Sequence, residues 1–383
     1  MWTKAIATSL LLCSFRIIAT AQSTYTVTDL GQLSPKAINS WAQVVGNYNN
    51  QAYLWSFGQT RALGKLPGGT SSSAVAISDL GVIAGTADGV GTVVSMPGKP
   101  SETVECPDLT QPFVWTWAGG MQGLGAVGDP NYSPVWCDLP FNASGVNDSG
   151  QVVGYLAGSY NETQWGFSWT KAKGMKLFGG SWVPTFAQSI NNFGEIAGQN
   201  SVDDGNGTTA FIGHATVWKS GVPTDLGTLG GGPDVLDYAS AANGVNDRGQ
   251  VAGWSATTPV SPEGSPVHAV IWTSGAGITD LGTLPGDTSS SALKINFFGQ
   301  VIGSSGKSLY VFPFEQSLPF EVTGRPFVWS KSTGIKDLNS LIPANSGWVL
   351  TSANDINFWG QIVGSGTRNG KTHGFLLTPT VLW

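Results

Sequence analysis

Seven variants of one short motif run along this chain, and no other feature constrains its fold as strongly. They are AINSWAQVVG (Ala37 to Gly46), AISDLGVIAG (Ala76 to Gly85), GVNDSGQVVG (Gly145 to Gly154), SINNFGEIAG (Ser189 to Gly198), VNDRGQVAG (Val245 to Gly253), KINFFGQVIG (Lys294 to Gly303) and DINFWGQIVG (Asp355 to Gly364). A repeated unit of this size cannot bury its own apolar face, so neighbouring units must stack and the repeats decide the architecture. By the same logic, a residue present in every copy serves packing before chemistry.

Three further signatures accompany the motif. A DLGTL-like segment recurs upstream (Asp29 to Leu33, Asp225 to Leu229, Asp280 to Leu284, Asp337 to Leu341), and a short apolar run ending in Trp recurs downstream (Trp55, Trp115, Trp169, Trp218, Trp272, Trp329). Runs of β-branched and aromatic residues bounded by Gly and turn formers read as strands. Each unit therefore predicts four: strand A into the Ile-Asn pair, strand B along QVVG, strand C into Trp, and strand D into Leu-Gly. The Asn-Asp-x-Gly sequence suits a tight A–B hairpin, because Asn or Asp caps the turn and Gly takes its left-handed position. The expectation is an all-β, seven-bladed β-propeller of four-stranded blades, forming a single domain over residues 22–383. The first strand, Tyr25 to Leu30, is D-type with no C strand before it, and the last copy has a C strand with no D strand after it. Pairing Tyr25 to Leu30 with the segment around Phe375 to Leu377 would close the ring and shield both edges.

The first 21 residues read as a signal peptide: Lys4, an apolar run from Ala5 to Phe15, and the small residues Ala19 and Ala21 around a cleavage site. Export to the medium or cell surface follows. Removing that segment takes away Lys4 and Arg16 and no acid, so the net charge of −6 falls by two to −8. Such an acidic chain argues against a nucleic-acid partner. No later apolar run has the length of a membrane span. Charged residues make up only 11% of the chain, as expected for sheets packed on both faces. Cys106 and Cys137 remain after cleavage and are expected to pair. A monomer is expected.

HAVIW (His268 to Trp272), DLGTLPGDTSSSALKIN (Asp280 to Asn296) and GQVIG (Gly299 to Gly303) together resemble the bacterial extracellular HAF-repeat proteins. The resemblance covers nearly the whole mature chain and implies an exported β-repeat protein. It brings no catalytic residues. The copy at Ala76 to Gly85 departs most, with Ser78 in place of the usual Asn.

With strands alternating in direction, the A–B and C–D turns share one face and the variable B–C and D–A connections share the other. Variable loops on a rigid scaffold are the usual place for binding. Trp136, Trp182, Tyr238 and Trp348 fall in D–A connections and are candidate ligand-binding residues, an aromatic platform for a glycan or an extended peptide. The competing reading is that they pin the loops down. The strand C tryptophans, being periodic, read as packing between blades. His214, His268 and His373 precede strand C in different units, so a shared metal is not expected and a repeat-specific hydrogen bond is. Asp203, Asp204 and Asn206 lack calcium-loop spacing. The GSSGKS stretch ending at Ser308 has Val301 where a phosphate loop needs Gly.

No cofactor is expected. The function expected is that of a non-catalytic binding or scaffold module taking a glycan or protein ligand at the variable loop face. The alternative is a carbohydrate-active hydrolase or lyase using carboxylates near the channel mouth, drawn from Asp129, Asp138, Asp234, Asp237, Glu263 and Asp287. A three-arginine sialidase site is not expected, because only Arg325 and Arg368 lie on that face.

Overall fold

The computed structural model describes residues 24–95, 103–128, 137, 140–156, 164–179, 184–203, 211–231, 238–259, 265–307 and 324–380. These residues form a β-propeller. In the fifth repeat strands A to D are Ser240–Val245, Val251–Ala256, Val267–Thr273 and Gly277–Gly282. They pair in that order as an antiparallel meander, with Val251 opposite Trp272 and Trp272 opposite Ile278. The other motif copies repeat the arrangement. Tyr25–Asp29 supplies the outer strand of the last repeat, pairing antiparallel with Lys371–Pro379 so that Val27 faces Leu377 and Asp29 faces Phe375.

The number of sheets corrects the expectation. Among the described residues there are eight, not seven. The additional one has three strands and no copy of the motif. Gly91–Val94 and Thr103–Cys106 form a hairpin inside the long B–C connection of the second repeat, and Ala126–Val127 joins it in parallel. A connection of that length folds back on itself and recruits the segment after strand D. Counting motifs cannot register a sheet that carries none.

Hydrogen bonds of the motif Asn account for the motif. In the fifth repeat the buried Asn246 accepts the N–H groups of Arg248 and Gln250 through Oδ1 at 3.0 and 2.9 Å. Its Nδ2 donates to Gln250 Oε1 at 3.0 Å and to the carbonyl of Asn296 in the next repeat at 2.9 Å. The same cross-repeat bond joins Asn147 to Asn191, Asn191 to Asn246, Asn296 to Asn357, Asn357 to Asn39, and Asn39 to Ser78. Only the step from Ser78 to Asn147 lacks it, because a hydroxymethyl group cannot reach; there Leu80 N–H donates instead to Asp148 at 3.0 Å. The circuit of hydrogen bonds passes through the seven motif copies and closes from Asn357 to Asn39. The three-stranded sheet stands outside it. Gly249 takes the left-handed turn position (φ 71°), which Ala42 occupies in the first repeat at φ 57°. The motif's last Gly has a different role: a Cβ on Gly154 would collide with the Asn142 carbonyl of strand A and with the ring of Phe167 on strand C.

Packing between repeats uses the strand C residues as expected. Trp115, Trp218 and Trp272 are buried. Trp115 sits with Ala37, Val45 and Leu54 of the first repeat as well as with its own Ile83, and Trp218 sits with Val153 of the third.

Candidate ligand-binding faces

The disulfide forms between Cys106 of the three-stranded sheet and Cys137, which precedes the third repeat, with Cα atoms 5.6 Å apart. It ties the insertion of one repeat to the entry of the next. The histidines are dispersed around the ring. His214, His268 and His373 each place Nδ1 against the Asp of a D-strand DLG segment: Asp225 at 2.7 Å, Asp280 at 2.9 Å and Asp29 at 2.8 Å. The same carboxylates accept the N–H of the following Gly, as Asp280 does from Gly282 at 2.7 Å. Burial pulls Asp280 and Asp29 upward, but these hydrogen bonds outweigh it and hold both carboxyls below their ordinary pKa. Each His is thus a lock between strands C and D. Arg325 does the same for Asp337 in the sixth repeat and also reaches Asp287.

Of the four candidate aromatic residues, Trp136 and Trp182 lie outside the described residues, as do Asp129, Asp138, Asp204, Asn206, Asp234, Asp237 and Glu263. Tyr238 is half-buried against Trp254 and Val267. Trp348 is buried, edge-on to Phe375 and His373, under the Arg368 guanidinium. The structure therefore places Tyr238 and Trp348 as packing groups of two separate repeats, with no shared platform between them.

Instead, the loop face opens a cavity of about 900 Å³ between the first three repeats. Its wall holds Asn47, Tyr48, Asn50, Thr70, Ser71, Asp88, Asn142 and Tyr155. The local sequence explains the shape. Asn49 and Asn50 take left-handed conformations in a two-residue hairpin (φ 47° and 56°), which keeps the first repeat's B–C connection short and the space above it open. Asn47 spans to the second repeat, donating to Ser73 Oγ and accepting the Ala74 N–H, both at 2.8 Å. Asp88 accepts from the Thr70 N–H and hydroxyl at 2.7 Å and from the Ser71 N–H and hydroxyl at 2.5 Å. Burial acts against the charge on Asp88, but these four donors, the Ser71 hydroxyl foremost, hold its carboxyl far below the usual range. Tyr48 is 38% exposed, and Tyr155 lies edge-on to Phe186 with its pKa raised by burial. Tyr48 ends strand B of the first repeat, two residues after the motif Gly, and Tyr155 is the last but one residue of strand B in the third, directly after it. The positions just after the motif Gly are readable in the sequence, but nothing in their residue types sets them apart from the longer loops.

The opposite face holds a second cavity, on the axis, of about 430 Å³. Ile38, Ile77, Val146, Ile190, Val245, Ile295 and Ile356 line it, one from each motif copy, below a mouth that includes Asp79, Asp148, Asp247, Phe297 and Phe358.

No family model and no curated protein matches the chain. Among solved structures, the chain is similar to the β-propeller domain of the Trilobed protease from Pyrococcus furiosus at 10% identity, covering 92% of this chain and 96% of that one with a TM-score of 0.46. It is similar to a chain of the mitotic checkpoint complex at 12% identity, covering 98% and 99% with a TM-score of 0.43. For Porphyromonas gingivalis dipeptidyl peptidase 4 the values are 11% identity, 78% and 48% coverage, and a TM-score of 0.42. At such distances the propeller rests on the chain's own sheet topology.

Proposed function

We propose that this protein is an exported, non-catalytic binding module whose loop-face cavity takes a saccharide, with the HAF-type repeats as its scaffold. The observation that carries the reading is the cavity's lining. It offers amide and hydroxyl groups from Asn47, Asn50, Thr70, Ser71 and Asn142, two tyrosine rings and, among the described residues, no cationic side chain. Sugars are bound by hydrogen bonds to their hydroxyls and by contact of their C–H faces with aromatic rings. Glycoside hydrolysis asks for a carboxylic acid that donates a proton and a second carboxylate facing it. Asp88 is the carboxylate among the described lining residues, and its four donors keep it ionised. It organises the wall and has no proton to give. Export is supported by the N-terminal segment of residues 1–21 and by the disulfide, which persists in oxidising compartments. Among the described residues no helix is long and apolar enough to cross a membrane.

A glycan array probed with the mature protein tests this reading. Binding should appear on a restricted set of glycans and fall about tenfold in Tyr48→Ala, whose side chain is exposed enough to remove without unfolding the repeat. Absence of glycan binding, or binding that Tyr48→Ala and Tyr155→Ala leave unchanged, rejects it; turnover of a bound polysaccharide rejects its non-catalytic part.

A further inference from the structure

The turn face carries large apolar side chains that its own fold does not require, apart from Trp359, whose Nε1 donates to the Ser40 carbonyl across the seam at 3.0 Å. Two residues after each motif Asn, or its Ser78 counterpart, stand Trp41, Leu80, Ser149, Phe193, Arg248, Phe298 and Trp359. Trp41 is 67% exposed, Leu80 74%, Phe193 77% and Phe298 58%. Ser149 and Arg248 make the same turn, each donating its N–H to the motif Asn at 3.2 and 3.0 Å, so the hairpin does not need an aromatic there. Isolated exposed apolar residues are ordinary, but repetition at one position around one opening marks an interaction surface.

The opening is amphipathic. On the side of the sixth and seventh repeats, Phe297, Phe298 and Phe358 form a cluster with centroids 4.8 to 5.5 Å apart, which Phe358 extends to Trp359 at 5.0 Å. At the same mouth stand Asp79, Asp148 and Asp247, with a cation beside them, the exposed Arg248, whose guanidinium lies 5.9 Å from the Phe297 ring centroid. Each carboxylate accepts hydrogen bonds from a neighbouring repeat: Asp79 from Ser40, Asp148 from Leu80, Asp247 from Asn192. Among the described residues none of the three is in an ion pair. Beneath them the axial cavity is walled by the Ile and Val ring.

We infer that this mouth is a docking site for a peptide segment of a partner protein, in which an apolar side chain enters the axial cavity and an adjacent Lys or Arg meets the carboxylates. Charge complementarity selects this occupant. A second copy of the same face would set three carboxylates and one arginine against the same set, a net repulsion, and an anionic lipid surface would meet the excess of carboxylates too. The site is separate from the saccharide cavity and does not depend on it.

The probe is a spot array of short synthetic peptides pairing Lys or Arg with Leu, Ile or Phe, each matched by a counterpart with Glu for the basic residue, read with the mature protein. Basic-apolar peptides should bind and their acidic counterparts should not. Phe298→Ala should weaken binding about tenfold, as for a hydrophobic anchor. Asp148→Asn and raised salt should each weaken it about fivefold. Tyr48→Ala, which lies in the other cavity, should leave peptide binding as it is, and thermal melting of each variant reports that it is folded. The inference is overturned by an array with no binding, by equal binding of the acidic counterparts, or by binding that Phe298→Ala leaves intact. It is equally overturned if Phe298→Ala instead abolishes glycan binding, or dissolves a dimer seen by sedimentation.

Discussion

The turn face and the loop face are built by the same strands, yet they use their side chains in opposite ways. On the turn face the motif's polar groups are engaged with the scaffold: Asn191 alone makes four hydrogen bonds, at 2.8 to 3.1 Å, one of them to the next repeat. Its aromatic residues stand in solvent. On the loop face the described aromatic candidates Tyr238 and Trp348 are packed inward, while Asn50, Asn142 and the tyrosines line an open cavity. Periodicity therefore identifies which atoms hold the ring together without identifying the face that is spare. A position can be periodic in place and still free in identity, as the residues two after the motif Asn are.

The difference predicts distinct responses to damage. The largest is expected on the loop face, where one covalent link does what repeated hydrogen bonds do opposite. Replacing both Cys106 and Cys137 with Ala opens a loop of 31 residues, which chain entropy values at about 3 to 4 kcal/mol. Chemical denaturation should show that loss in the oxidised protein, and reduction of the wild type should reproduce it. On the turn face, Asn191→Ala strands the buried partners of four hydrogen bonds and should cost about 3 kcal/mol, read by the same denaturation midpoint. If Asn191→Ala proves neutral, the hydrogen-bond circuit is ornament and packing alone holds the repeats in register.

A third test concerns the seam where the ring closes. Asp355 lies one residue before the axial ring of Ile and Val, and its carboxylate accepts the N–H of Ile38 across the seam and of its neighbour Ile356, both at 2.9 Å. Burial pushes its pKa up to about 6, against the attraction of Lys294 and these two N–H groups and with slight help from Asp79. The side chain keeps some accessible surface, so the desolvation is less complete than the crowding around it implies. Because the folded pKa lies above the unfolded value, the folded state holds the proton more tightly between about pH 4 and 6. Stability from this group is present below that window and lost as pH rises through it. The full shift corresponds to about 3 kcal/mol; with the residual exposure we expect about 1 to 2. Asp355→Asn should flatten the melting temperature between pH 4 and 7. Asp29 and Asp280, held low, act below that window and should leave the acid limb of the profile in place.

Much of this was legible in the sequence, for reasons that differ by residue. Four strands per unit, the closing pair of Tyr25–Asp29 with Lys371–Pro379 and the dispersed histidines follow from spacing, because periodic contacts leave periodic marks; the Cys106–Cys137 bridge follows instead from two cysteines left in an exported chain. The three-stranded sheet did not, since Gly91–Val94 and Thr103–Cys106 occur once and pair locally. The cavity around Asp88 was hidden for a related reason. Its wall joins strand ends from three repeats, and Thr70, Ser71 and Asp88 meet only after the chain has turned through strands A and B. Tyr238 and Trp348 carried two readings, platform or loop anchor, because a large aromatic residue in a connection is as readily buried as displayed.

The smallest effect is expected at Ala42, where the first repeat breaks the rule the others keep. Gly81, Gly150, Gly194, Gly249, Gly299 and Gly360 take the left-handed turn position with φ between 71° and 82°. Ala42 holds it at 57°, and an L residue with a Cβ loses roughly 1 kcal/mol there. Its N–H still donates to the Asn39 carbonyl at 3.0 Å, so the turn is formed and only the strain differs. Ala42→Gly relieves the strain but enlarges the unfolded ensemble, and the two partly cancel. A net gain of about 0.5 kcal/mol is expected, seen as a small rise in denaturation midpoint with an unchanged slope. Gly249→Ala, the reverse change in an otherwise regular repeat, should lose about 1 kcal/mol or more. If both substitutions destabilise, Ala42 is held by packing specific to the closing seam, and the first repeat's turn is not interchangeable with the rest.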